Sequence, residues 1–171
     1  SAIVGQLTKK DKKLSGEIEA DGAYFGGKRR GKRGRGAGNK VKVFGILERN
    51  GKVKVDIVTD VTAETLLNET VKKVRRGSIV YTDKFGSYDS LMFCGYRHMT
   101  VDHDVRFSRG KLHINGMEGF WSFAKERLIK HHGVSPGKFL LYLKEQEWRY
   151  NNKGKDIFAL LINCMLGAKV E

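Results

Sequence analysis

Ser78–Tyr88 reads SIVYTDKFGSY. Ile79, Val80, Tyr81 and Thr82 are β-branched or aromatic with no polar alternate, the composition of a strand covered on both faces. The stretch before it, TAETLLNETVKKVRRG from Thr62 to Gly77, has the period of a helix, with Leu66, Val71 and Val74 on its inner side. Thr62 or Thr59 supplies the cap and Gly77 the stop. A helix that hands the chain to a buried strand makes a crossover connection, which brings parallel strands into an α/β sheet. Sheets of this kind carry their chemistry at the carboxyl ends of strands, and Asp83 sits at such an end. Because it follows the innermost strand, Asp83 is expected at the centre of any site.

Upstream, the segment VKVFGILERNGKVKVDIV predicts a hairpin: Val41 to Glu48, an Asn50-Gly51 turn of type I′, then Lys52 to Val58. A further strand is expected over Gly16 to Phe25, where Ile18, Ala20 and Gly22 alternate with Glu17, Glu19 and Asp21. Asp21 therefore shares a face with Glu19. Gly26-Gly27 ends that strand, and KRRGKRGRGAGNK follows, with seven basic and four glycine residues in thirteen. Such a segment cannot pack a core. It reads either as a solvated connection or, preferred beside an acid site, as a flexible phosphate-gripping arm at about 28–40, carried by Lys28, Arg29, Arg30, Lys32, Arg33, Arg35 and Lys40.

Downstream, YDSLMFCG predicts a short helix, YRHMTV a fifth strand, and a polar loop ends near His113. Helix is expected from Asn115 to His131, and Pro136 opens an amphipathic helix through FLLYLKEQEWRY. The tail DIFALLINCML predicts another short helix or an oligomer contact. A chain of 171 residues suits one domain, 1–171, with the C-terminal helices beginning at about 136.

Lys and Arg number 33 against 19 Asp and Glu, a net charge of +14, so the surface attracts a polyanion. No run approaches the length of a membrane span, and the start SAIVGQLTKKDKK has no hydrophobic stretch of signal-peptide size. No membrane partner and a cytoplasmic, nucleoid-associated location are expected. Cys94 and Cys164 stand too far apart for a metal knuckle and read as buried thiols. His98, His103, His113, His131 and His132 lack a tight ligand spacing, so no zinc is expected.

Against so basic a background, three acids fall within apolar runs: Asp21, Asp83 and Glu118, the last in HINGMEGFWSFAK. Carboxylates suit a hard cation such as Mg²⁺, with Mn²⁺ as a substitute. Brought together without metal they repel, so at least one raised pKa is expected. On a helix, Glu118, Trp121 and Lys125 line one stripe, which puts Lys125 in reach of a phosphate beside the metal. His113 and Asn115 lie within a turn of Glu118 and are candidate accessory ligands or DNA contacts. Trp121, Phe120 and Phe123 read as core.

The order β-β-β-α-β-α-β-α with these acids resembles the RNase H-like fold, a mixed five-stranded sheet flanked by helices. Three motifs, ADGAYFGG, VYTDKFGSYDSL and HINGMEGFWSFAKERL, with the ending YLKEQEWRYNNK, resemble the catalytic domain of bacterial insertion-sequence transposases of the DDE class. The resemblance runs from about Glu17 to Lys153 and is to the integrase-like group whose full-length members carry an N-terminal zinc ribbon. Many members follow the first Asp with Glu, where this chain has Gly22. No cysteine-rich head precedes the core here, which implies an excised domain or a shortened protein. The resemblance implies a metal-dependent transposase in which Asp21, Asp83 and Glu118 hold two Mg²⁺ and Lys125 assists. It further implies double-stranded DNA as partner, both element ends and target, and a homodimer or higher assembly on that DNA. A catalytically inactive DNA-binding remnant, and an RNase H-like nuclease without strand transfer, are the alternatives.

Overall fold

The computed structural model describes residues 12–26, 40–83, 92, 94–101, 113–131 and 133–166. Strands β1 (Glu17–Phe25), β2 (Val41–Glu48) and β3 (Val53–Val58) form an antiparallel meander, and helix α1 (Ala63–Lys73) leads into β4 (Ile79–Asp83). Strand β5 (Arg97–Val101) and helices α2 (Asn115–Ile129), α3 (Pro136–Asn151) and α4 (Ile157–Leu166) follow. The strands lie in the order β3-β2-β1-β4-β5, with β4 parallel to both β1 and β5. This mixed five-stranded sheet with flanking helices is an RNase H-like architecture. The central strand is β1, not β4: the hairpin adds two strands to one side of β1 and the crossover adds two to the other.

The period-2 reading of β1 holds, and each of its faces meets a different helix layer. Ile18 and Ala20 join Phe44, Ile46, Val80 and Leu66 of α1 in one core. Ala23 and Phe25 join Val43, Leu47, Met117, Phe120, Trp121, Phe139 and Leu143 in the other, beneath α2 and α3. Glu19 and Asp21, in step with Ala23 and Phe25, therefore point at helices rather than at water.

Three local expectations change. The turn after β2 has positive φ only at Asn50 (φ 60), with the Gly51 N–H closing on the Glu48 carbonyl at 2.8 Å. A single left-handed residue at the third position is the type II pattern rather than type I′. Helix α1 stops at Lys73 rather than near Gly77, because Val74 leaves it to bridge Leu14, whose N–H donates to the Lys73 carbonyl. Thr62 caps α1, its hydroxyl accepting from the Thr65 N–H. Both cysteines are half-buried rather than buried. Cys94 sits at the margin of the α1-side core, and Cys164 lies on α4, which buries no residue.

Helix α3 does more than cover apolar surface. Asn151 both accepts from the Val53 N–H (2.7 Å) and donates to the Val53 carbonyl (2.9 Å). Glu147 accepts from the Val55 N–H (2.8 Å), and Lys144 donates to the Val55 carbonyl (2.6 Å). Positions 144, 147 and 151 form one helical stripe, and that stripe satisfies the outer backbone of β3, which is otherwise an unpaired sheet edge. On α4, by contrast, Phe158, Met165 and Leu166 are exposed. Among the described residues, no helix is long and apolar enough to cross a membrane.

Candidate active site

The parallel register of β1 with β4 pairs Glu19 with Tyr81 and Ala20 with Thr82. The next residues along are Asp21 and Asp83, so the two carboxylates emerge side by side from neighbouring strands, on the face that α2 covers. Helix α2 reaches that face closely because Gly45, the β2 partner of Asp21, has no side chain. A Cβ there would lie 2.4 Å from the Met117 methyl and 2.7 Å from the Trp121 ring. Met117, Phe120, Trp121, Ala124 and Leu128 bury one side of α2, leaving Glu118 and Lys125 exposed along its flank.

Asp21 is the most constrained of the three acids. Its Oδ2 accepts from the Trp121 indole N–H at 3.0 Å, and its Oδ1 accepts from the Gly22 N–H at 2.7 Å. Burial pushes its pKa above the ordinary carboxylate value, the two hydrogen bonds pull the other way, and the charges of Asp83 and then Glu118 add to the rise. A raised pKa from mutual repulsion was the expectation; burial is the larger cause, because Asp21 lies under α2 while Glu118 faces solvent. Asp21, on the central strand, feels the charges of both other acids. The three acids lie within electrostatic range, yet among the described residues no three His, Cys, Asp or Glu side chains stand close enough together to hold a metal ion. The donor chemistry fits a hard cation, and each Asp21 carboxylate oxygen keeps a lone pair beyond its single hydrogen bond. The spacing does not close a ligand set.

The remaining candidates separate. Lys125 stands two helical turns beyond Glu118, with its Nζ 5.9 Å from the centre of the Phe25 ring. Asn115 is exposed at the first position of α2. His113 has its Nδ1 3.5 Å from Glu19 Oε1. Lys28, Arg29, Arg30, Lys32, Arg33 and Arg35 lie outside the described residues, and Lys40 directly precedes β2.

Two participants escaped the sequence reading. Trp121 is core, as expected, but its N–H is also the donor that holds Asp21. Glu19 is 1 % exposed, and it accepts from Arg49 Nε at 3.0 Å and from the Met117 N–H at 2.9 Å. It thereby closes one of the open amides at the start of α2, as a capping side chain does, but from a strand. The available signal was its place two residues before Asp21 on one face.

The model of the ISXO2-like transposase domain matches residues 13–151. The chain belongs to this family. Its members are insertion-sequence transposases of the DDE, integrase-like kind. An uncharacterized transposase-like protein of Haemophilus influenzae is 44 % identical over 120 residues, covering 70 % of this chain and 98 % of that protein. An uncharacterized protein in the transposable element ISH50 of Halobacterium salinarum is 28 % identical over 144 residues, covering 78 % of this chain and 48 % of its own length. Among solved structures, the catalytic core domain of BIV integrase superposes with a TM-score of 0.53 at 12 % identity, covering 90 % of this chain and 97 % of that one. At that identity the likeness speaks for the fold alone, and it agrees with the strand order above.

Proposed function

We propose that this ISXO2-like domain catalyses metal-dependent phosphoryl transfer on double-stranded DNA, cutting element ends and joining the freed 3′-hydroxyl to target DNA. The observation that supports this reading is that Asp21 and Asp83 follow paired positions on neighbouring parallel strands, with the charges of Asp83 and Glu118 both raising the cost of charge at Asp21. Asp21, Asp83 and Glu118 would hold the metal. A pair of Mg²⁺ ions, when bound, would make a hydroxyl nucleophilic and stabilise the leaving oxygen. The Trp121 N–H and the Gly22 N–H fix the orientation of the Asp21 carboxylate, so its free lone pairs face a set direction before substrate arrives. Lys125, on the exposed flank of α2, would meet a phosphate as a point charge. The basic segment from Lys28 to Lys40 would grip the duplex without reading its sequence.

Strand transfer of a pre-cut element end in Mg²⁺ or Mn²⁺ tests this reading. Asp83→Asn should lower joining at least about 1,000-fold, while metal-free DNA binding and its salt dependence stay as in the wild type, since the basic surface supplies them. Retained joining in that variant would overturn the reading, and cleavage without joining by the wild type would favour a plain nuclease.

Two DNA ends must meet for transposition, and we propose that α4 mediates self-association on DNA through Phe158, Met165 and Leu166, which are exposed. Light scattering should show at least a dimer with paired ends present. A strict monomer with and without DNA would sink the idea.

A further inference from the structure

Arg49 stands at the second position of the turn between β2 and β3, away from all three carboxylates in sequence. Its backbone N–H donates to the Glu17 carbonyl (2.9 Å), which folds the turn back against β1. Its guanidinium then reaches three parts of the fold. Nε bonds Glu19 at 3.0 Å and Nη1 bonds Glu17 at 2.8 Å, both on β1. Nη2 donates to the His113 carbonyl at the approach to α2. The flat face lies 3.9 Å from the centre of the Tyr81 ring on β4. Glu19 completes the arrangement by accepting the Met117 N–H on α2.

The pattern in these contacts is positional. Glu19 comes two residues before Asp21, Tyr81 two before Asp83, and Met117 one before Glu118. We propose that the Arg49–Glu19 pair is a positioning device, setting the distances between the three elements that carry Asp21, Asp83 and Glu118. This inference rests on the reading of those acids as a metal site. Burying an ion pair is a poor way to gain stability, since an apolar pair of similar volume serves as well or better. Here the Glu19 side chain is 1 % and the Arg49 side chain 12 % exposed. What the pair gives in return is geometry: a planar fork with several fixed donors, which neither an apolar side chain nor lysine reproduces. Gly116 belongs to the same device. A Cβ on it would lie 2.8 Å from Glu19 Oε2 and 3.0 Å from a Leu47 methyl, so only glycine lets the carboxylate reach the start of α2. Among the described residues the acids do not close a metal set, and the elements this pair ties together are the ones whose spacing decides closure.

Two variants test the role by different routes. Arg49→Lys keeps a charge for Glu19 but removes the fork and the ring contact. Gly116→Ala leaves both partners intact and crowds the start of α2, at a helical site where alanine would otherwise stabilise. For each, Mn²⁺ affinity of the DNA-free protein is measured by calorimetry, alongside kcat and KM for joining pre-cut ends and the circular dichroism spectrum. The expected result is a folded protein with Mn²⁺ affinity reduced about 10- to 100-fold, the range for lost outer partners of metal ligands, and a lower kcat at unchanged KM for DNA. Wild-type Mn²⁺ affinity and kcat in Arg49→Lys, with only a lower melting temperature, would overturn the proposal. Should Arg49→Lys fail to fold, Gly116→Ala decides alone, and wild-type Mn²⁺ affinity there overturns it equally. Asp83→Asn run in parallel separates the two levels. If Asp83→Asn binds Mn²⁺ as the wild type does, the metal-site reading falls and the positioning role with it. If Asp83→Asn loses Mn²⁺ while Arg49→Lys and Gly116→Ala keep it, only the positioning role falls.

Discussion

Two groups of acids in this molecule are treated in opposite ways. Along the outer edge of β3, Glu147 accepts from Lys144 (2.8 Å), and Asp56 is bonded by Lys73 (2.8 Å) and Lys144 (3.2 Å). Around the ends of β1 and β4, Asp21 receives only neutral N–H donors, and among the described residues Asp21, Asp83 and Glu118 form no ion pair. A chain of net charge +14 has cations in plenty. Acids that the fold has already matched with lysine are structural, and their capacity is spent. Acids left with dipoles and with each other retain the ability to bind a cation from outside. The contrast, more than the mere presence of carboxylates, separates scaffold from site.

The largest effect that can break this contrast is the loss of joining in Asp83→Asn described above, with fold retained. The mirror change is Glu147→Ala. It leaves Lys144 short of a partner and the Val55 N–H without its acceptor, and should lower stability by about 3 kcal/mol, read by urea denaturation. Mn²⁺ affinity of the still-folded protein should not move. A Glu147→Ala protein of normal stability would show that the edge acids are no more structural than the others.

A smaller and sharper effect concerns pH. Burial works to raise the Asp56 pKa, but Lys144 and Lys73 outweigh it and hold the carboxyl below its ordinary value. A group whose pKa is depressed by folding contributes stability above its unfolded pKa and loses that contribution as pH falls through the folded value. Asp56→Asn should therefore cost about 1–2 kcal/mol at pH 7, with the gap to wild type closing as unfolding is repeated from pH 5 towards pH 3 and below. A gap constant across that range would mean the two lysines do not act on Asp56 through its charge.

The fold was largely legible because its strands obey simple periods: the alternation of β1, the apolar run of β4 and the hairpin over 41–58 each declare themselves. Asp83 was legible as the residue after a buried strand, and Asp21 as an acid at a strand position. The sheet centre was not, since an apolar run says that a strand is covered but not how many strands lie on either side. Glu19 and Arg49 were hidden for a different reason. Polar residues alternating with apolar ones read as a solvent face, and only the seating of α2, permitted by Gly45 and Gly116, turns that face into an interior. The indole of Trp121 shows the same limit: its size announced the core, while its single donor acquired a target only when β1 and α2 met. The basic residues from Lys28 to Arg35 remain where the sequence left them, outside the described structure.

The polar stripe of α3 also imposes a timetable. Its bonds to β3 join residues 89 to 98 positions apart, Lys144 with Val55 at the near end and Asn151 with Val53 at the far one. On a ribosome adding roughly 5–20 residues per second, the hairpin emerges and then waits roughly 5–20 s for the helix that will seal it. Throughout that interval the rim of β3 is an open template on a nascent chain. Sequence in α3 thus governs how safely the hairpin of β2 and β3 is made.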